Sequence, residues 1–343
     1  MKEERLLILS MLQEGKISVE EATKLFEALE GQESSKATDR SKAKDTKDDK
    51  HKRLSNMTFE EIGQDIGNAI SSMVDGLRDI SGSFGLNFNS ETITIDLEED
   101  LSQIQNPILD LKAINGSINL TTWEKEQIAI KLTCEYKNDV IDMNSDFYEF
   151  YIDGDRLVFA PTLSKDISVK LDVFLPNKNY KEMILITTNG KIQINDVNVD
   201  KLNSTTTNGS INSNRLVGDE IYMTTRNGRI EAFDISAEIL NLSTSNGRIV
   251  CNHLDINRAS KVDLTTSNGS ITSTLDNLVK GAYFDLDTSM GSVTLELPNM
   301  TSINRDQGFA GNKRILAHNP NYDESSENLK YNASTSNGSI KIS

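Results

Sequence analysis

The chain has 343 residues, with 36 basic side chains against 52 acidic ones, a net charge of −16 and a single Trp. That length accommodates two domains or one long β structure. An acidic, aromatic-poor chain lacks the basic face that nucleic-acid phosphates demand, and no run approaches the roughly 18 apolar residues of a membrane-spanning helix.

Residues 1–31 read as a helical hairpin. Leu6, Leu7, Leu9, Met11 and Leu12 give the first helix an apolar side, and Gly15 stops it. Ser18 with Glu21 forms a capping box for a second helix striped by Ala22, Leu25, Phe26 and Leu29. So few residues bury too little surface to be stable alone, which predicts self-association or a protein partner through residues 1–90. Leu6-Leu7-Ile8-Leu9 is too short for the apolar part of a secretory leader. The expected location is therefore cytoplasmic, with non-classical export to the cell surface as the alternative. Residues 32–53 are rich in Lys, Asp and Ser and predict a flexible linker.

Across residues 54–90, Phe59, Ile62, Ile66, Ile70, Met73, Val74, Leu77 and Ile80 keep helical spacing behind a Thr58/Glu61 cap. The polar side of this amphipathic helix is acidic, which opposes docking on anionic lipid. The expected role is packing on the β body or on another copy. Residues 91–182 read as a non-periodic β region. Thr92-Ile93-Thr94-Ile95 and the segments 128–132 and 167–173 alternate, Asp153-Gly154-Asp155 predicts a hairpin, and Asn115-Gly116-Ser117-Ile118 is an early copy of a turn that recurs later.

From residue 183 to 343 the chain repeats. Asn-Gly, one small or basic residue and an Ile recur at Asn189, Asn208, Asn227, Asn246 and Asn268, the first four at a spacing of 19 and the fifth after 22. A degenerate copy stands at Met290-Gly291, and a clean one at Asn337-Gly338. Two residues before each turn sits Thr187, Thr206, Thr225, Thr244, Thr266, Thr288 or Thr335. Six before it sits Met183, Leu202, Ile221, Leu240, Val262, Phe284 or Tyr331. A fixed period with period-2 alternation predicts a mainly β fold, a right-handed β-solenoid of 19–22-residue coils stacked at the strand spacing of roughly 4.8 Å. A β-sandwich of Asn-Gly hairpins is the rival. Parity carried through the turn places both Thr and Asn inward as a structural ladder, and Asn-Gly suits positive φ.

Catalytic signals are sparse. The acids Asp196, Asp200, Asp219, Asp234, Asp255 and Asp263 read as scattered, solvated corner charges, with no two at a common offset on an outward strand. Cys251-Asn252-His253 is the nearest approach to a metal pair, yet a closed zinc site takes four ligands and only His51 and His318 remain. The two cysteines, Cys134 and Cys251, read as separate buried thiols. The expectation is a protein without catalytic, cofactor or metal sites. A β-helix that binds or cleaves polysaccharide is the alternative, and an outward Thr ladder would favour an ice- or crystal-binding surface. Lys191, Arg226, Arg229 and Arg248 lie at turn flanks within a run of four successive coils and form a candidate anion-binding corner for an envelope polymer or lipid headgroup. The acidic body as a whole would attract a cationic peptide.

The leading Glu-Gly-Lys-Ile-Ser-Val-Glu-Glu-Ala of residues 14–22, the charged linker, Trp123, Val173-Phe174-Leu175-Pro176 and the Thr-x-Asn-Gly-x-Ile repeats together resemble the bacterial adhesin-like β-strand-repeat family. The likeness is to its YvlB/LiaX type, with a SHOCT-like helical segment in front. That resemblance covers nearly the whole chain. It implies a role in the cell envelope stress response of Gram-positive bacteria, including protection against membrane-active antimicrobial peptides. It carries over no catalytic residue.

Overall fold

Alternating apolar residues give extended backbone, and the constant period lets each turn of chain lie on the one before. The computed structural model describes residues 90–137, 147–163, 165–307 and 313–343. The helical hairpin expected over 1–31, the linker over 32–53 and the amphipathic helix over 54–90 lie outside the described residues, except that Ser90 already begins a strand.

The strands run in chain order: β1 Ser90–Asp100, β2 Ile108–Lys112, β3 Asn115–Trp123, β4 Gln127–Lys137, β5 Tyr148–Asp153, β6 Arg156–Pro161 and β7 Ile167–Pro176. There follow β8 Asn179–Thr187, β9 Ile192–Thr206, β10 Ile211–Thr225, β11 Ile230–Thr244, β12 Ile249–Asp255, β13 Lys261–Thr266 and β14 Ile271–Leu275. The last are β15 Ala282–Met290, β16 Val293–Leu295, β17 Thr301–Gln307, β18 Lys313–His318, β19 Leu329–Asn337 and β20 Ile340–Ile342.

β9, β10 and β11 stack in parallel, each residue paired with the one 19 further on. The pairing is broken twice in each coil. Residues 192–195, 197–199 and 201–206 pair with 211–214, 216–218 and 220–225, while Asp196/Arg215 and Asp200/Asp219 drop out of register. Each coil is therefore three straight segments joined by three corners, one of them the Asn-Gly turn. Inward residues fill the axis. Ile118, Ile192, Ile211, Ile230, Ile249, Ile271 and Ile340 form one column with no exposed surface. Leu202, Ile221, Leu240, Val262, Tyr331 and Phe284 form another, closed by the stacked rings of Phe284 and Tyr331 at 5.2 Å.

The stack does not follow chain order at its ends. β2 and β3, with the Asn115 turn between them, lie under β8 and β9, so the early copy is the first rung of the stack. At the other end β19 and β20 insert between the fifth repeat coil and the degenerate one: β19 pairs with β13 and β15, and β20 with β14 and β16. Antiparallel strands close both ends, β4 and β1 beside β7, β5 beside β6, and the β17–β18 pair beside β15. They cover edges that would otherwise invite pairing with other chains.

The corner chemistry explains the repeat. Each Thr of the repeat is buried and donates its hydroxyl to the turn Gly carbonyl of the coil below: Thr225 Oγ1 to Gly209 O, Thr244 Oγ1 to Gly228 O and Thr266 Oγ1 to Gly247 O, each at 2.8 Å. Thr187, Thr206 and Thr335 repeat the bond to Gly116, Gly190 and Gly269. The Asn side chains form an unbroken amide ladder. Nδ2 of Asn208, Asn227, Asn246, Asn268 and Asn337 donates to Oδ1 of Asn189, Asn208, Asn227, Asn246 and Asn268 at 2.6–2.8 Å. Asn189 in turn donates to Asn115.

Two expectations are corrected here. The Asn ladder is exposed, because the strand ends at the Thr and its alternation does not survive the bend. The Gly is required by crowding and not by positive φ. Among the repeat turns only Asn115 and Gly291 have positive φ. A Cβ on Gly209 or Gly228, however, would sit 1.7 or 1.8 Å from the carbonyl oxygen of the Gly one coil below.

Two stability predictions follow from these contacts. Thr225→Val keeps the shape but strands a carbonyl, and should cost about 1–3 kcal/mol in chemical denaturation. Gly228→Ala forces two coils apart and should cost about 3 kcal/mol or more, so the reverse ranking would refute the crowding argument. A truncation speaks to the inserted coil. β15 and β16 pair with the repeat coils only through β19 and β20, so deleting residues 329–343 should make 282–318 sensitive to limited proteolysis while 90–275 keeps its β circular dichroism.

Candidate binding surfaces of the β stack

The repeated polar groups that face the axis are consumed in coil-to-coil bonds, so the stack meets solvent through columns of side chains on its faces and corners. At the Asn-Gly corner the four basic residues occupy two flanks. Lys191, Arg229 and Arg248 follow the turn in one column, interrupted by Ser210. Arg226 precedes the turn, in a column with Thr188, Thr207, Ser245 and Ser267 whose backbone rungs run Arg226 N to Thr207 O and Ser245 N to Arg226 O, both 3.2 Å. Glu231 lies between two of the guanidinium groups: its Oε1 is 3.3 Å from Arg229 Nε and accepts from Arg248 Nη2 at 3.0 Å. Lys191 Nζ donates to Gln193 Oε1 at 3.0 Å. Arg226 is exposed and makes no ion pair with another described residue. The corner thus holds one unpaired guanidinium, beside hydroxyls, and across the turn two guanidinium groups that share one carboxylate.

The second corner is charged in alternation. Asp196, Arg215, Asp234 and His253 succeed one another at intervals of 19, all with φ between 52 and 58°. That left-handed geometry is unusual for residues with a Cβ, at roughly 1–2 kcal/mol each. Arg215 offsets part of it with a bidentate pair to Asp196, one bond from Nε to Oδ1 and one of 2.7 Å from Nη2 to Oδ2. The bonds from Arg215 hold the Asp196 carboxyl below the usual range. His253 Nδ1 sits 3.6 Å from Asp276 Oδ1. The third corner carries Asp200, Asp219 and Glu238 at the same interval. Four of the six acids that read as scattered therefore stand in two corner columns, while Asp255 and Asp263 lie within strands. The common offsets of the columns were present in the numbering and were missed because corners are not marked in the sequence.

Cys251 and His253 do not form a metal pair: the thiol is fully buried on the axis and the imidazole is 69% exposed at the corner. No group of three potential metal ligands occurs among the described residues. Burial pushes the Cys251 thiol up to about 12 and the Cys134 thiol up to about 11. A polar cleft of about 610 Å³ lies at the lower end of the third corner, where the loop between β1 and β2 meets the turn between β5 and β6. Two rings mark another exposed spot: Trp123 stacks on Phe174 at 5.4 Å, with Lys125 Nζ over the indole at 4.5 Å.

With this geometry in place, the comparisons with known proteins decide the family. Residues 111–343 match the Toastrack DUF4097 family, and residues 3–34 match a SHOCT-like domain. The chain belongs to the Toastrack DUF4097 family. One relative, the uncharacterized protein YvlB of Bacillus subtilis (strain 168), is 23% identical over 215 residues. That match spans 60% of this chain but only 57% of the relative's length. A solved structure of a candidate cell adhesion protein from Clostridium sporogenes ATCC 15579 covers 74% of this chain and 99% of its own, at 13% identity and a TM-score of 0.29. The family matches show the expected YvlB-type β-repeat family, and the parallel strand pairing shows the mainly β, solenoid-like fold.

In this Toastrack stack the two thiols report opening of the coils. Both should resist an aromatic disulfide reagent at pH 8 in the native state and react only as the core opens. Each folded-state value lies above that of the free thiol, near 9, so the stabilising contribution is intact below about pH 9. It declines as pH rises from there towards 11 for Cys134 and 12 for Cys251, because the unfolded thiol ionises first. A denaturation midpoint that stays flat from pH 8 to 11 would contradict this.

Proposed function

We propose that the protein is a non-catalytic binding and regulatory component of the bacterial envelope stress response. In this reading the β stack is the recognition surface, and residues 1–90 contact a protein partner or a second copy. Membership of the adhesin-like Toastrack family supports it, as does the SHOCT-like match at the N-terminal side of the chain. The observation that carries it is the consumption of the repeated Thr and Asn groups in rungs, which leaves columns of side chains as the chemistry on offer. On that surface Arg226, an unpaired guanidinium in a column of hydroxyls, is the anion subsite, with Arg229 and Arg248 as neighbours shared with Glu231. The ligand is an anionic envelope polymer or lipid headgroup. The acidic body favours cationic peptides as a further partner through its field alone. We place the protein in the cytoplasm, beside the membrane; protection of the chain from external protease on intact stressed cells supports that side, and its digestion assigns the cell surface.

The test compares binding to anionic vesicles at low ionic strength. Replacing Arg226, Arg229 and Arg248 with Ser, which other coils use at these positions, should preserve the fold. It should weaken binding by about tenfold, with most of the loss reproduced by Arg226→Ser alone. Unchanged binding by the triple variant removes the corner from the reading. A second reading, saccharide binding, is favoured by the polar cleft at the third corner.

A further inference from the structure

Three charges meet in the cleft without pairing. Several charges elsewhere on this stack do pair: Arg156 with Asp110 at 3.1 Å, Lys201 with Glu220 at 3.1 Å and Arg258 with Asp219 at 2.6 Å. Asp155, Lys181 and Asp200 line the cleft, and none of them forms an ion pair with another described residue. Backbone bonds fix their places. Ile108 N donates to Asp155 O at 2.8 Å and Lys181 N to Pro107 O at 3.1 Å, so the three charges come from neighbouring levels of one corner.

The loop between β1 and β2, which also lines the cleft, is tied down by hydrogen bonds. Lys178 Nζ donates to the carbonyls of Leu101 and Ile104 at 2.8 and 3.3 Å, and Ser102 N donates to Asp100 Oδ1 at 2.8 Å. This fixes the loop that carries Gln103, Gln105 and Asn106. Asn179 Nδ2 donates to Asp200 Oδ1 at 2.8 Å and orients the carboxylate. Gly154, at φ 62°, turns the β5–β6 connection, and a Cβ there would meet nothing within 4 Å, so the rim stays open.

The donor set defines the ligand. Three primary amides each offer a donor and an acceptor, the pairing that vicinal hydroxyls use. Two carboxylates against one ammonium leave a net charge of −1, which rejects an anionic polymer and attracts an amine. The cleft lies within the usual range for ligand sites, roughly 300–1,000 Å³, but lacks the aromatic lining of an apolar ligand site. We propose that this cleft binds an amino-sugar chain, its hydroxyls on Gln103, Gln105 and Asn106 and separate ammonium groups on Asp155 and Asp200, which stand about three strand spacings apart on one corner. The proposal rests on the β stack being a binding surface, but uses residues remote in sequence from the basic corner and the opposite charge.

The experiment titrates the full chain calorimetrically with the β-1,4-linked glucosamine tetramer, at a mildly acidic pH where its amines are protonated. We expect saturable binding that weakens about tenfold, about 1.4 kcal/mol, in the Asp155→Asn/Asp200→Asn variant and in Gln105→Ala. Asp219→Asn/Glu238→Gln removes the same charge higher on the same corner and should leave affinity unchanged. The N-acetylated tetramer should bind more weakly than the free amine. Equal weakening by the two charge variants would reduce the effect to the general field and overturn the site. Spermidine binding as tightly as the tetramer would overturn the sugar, and absence of saturable binding would overturn both. Anionic-vesicle binding should be untouched by Asp155→Asn/Asp200→Asn, so failure here and failure of the basic corner remain separate results.

Discussion

Everything in this stack depends on how closely two coils approach at the Asn-Gly corner. There the glycine of one coil lies against the carbonyl of the glycine below, at a separation that admits no Cβ. Once the backbones are that close, the buried Thr hydroxyl reaches the same carbonyl and the outer Asn amide reaches its neighbour. The three residue types are one device seen from three sides: Gly permits the approach, Thr satisfies the carbonyl from within and Asn locks the register from without. A hydrogen bond of this kind contributes only about 0.5–1.5 kcal/mol net. Repeated coil after coil, it makes slippage by one residue costly, because every rung would break together.

The same approach governs what the molecule offers to partners. A stack whose repeated Thr and Asn groups are satisfied from coil to coil presents periodic columns on its outside, and neighbouring coils neutralise one another where opposite charges align. Glu231 between Arg229 and Arg248, and Asp196 against Arg215, are instances. Charges left unpaired therefore stand out. Arg226 is one, on a hydroxyl column, and the Asp155, Lys181 and Asp200 set is another, in a cleft. Their opposite polarity suits them to ligands of opposite charge.

The ends follow a different logic from the middle. A parallel stack cannot close on itself, so antiparallel strands cover it below, through β4, β1 and β5, and above, through β17 and β18. The upper end is also built out of order, with β19 and β20 held on both sides by strands that precede them in the chain. Their contacts join residues further apart in sequence than the 19 of the regular coils, so closing them costs more loop entropy.

The repeat, its 19-residue interval, the inward Thr and the apolar columns were legible in the sequence, because period-2 alternation and a fixed spacing are properties of one chain read along its length. So was the earliest copy at Asn115. Which way the Asn points was not, since alternation holds only while the strand lasts and the bend after Thr187 or Thr206 resets it. The reason for the glycine was misread for a similar cause: Asn-Gly as a dipeptide signals a φ preference, whereas here a neighbouring coil, distant in sequence, forbids the Cβ. The corner columns 196/215/234/253 and 200/219/238 share spacings that could have been counted, but only three dimensions show where a strand breaks. The insertion of 329–342 and the meeting of Asp155, Lys181 and Asp200 join segments of unrelated pattern. Sequence determined the coil, because the coil is local; tertiary structure decided the order of the coils and the sites between them, because both are set by contacts that no local period encodes.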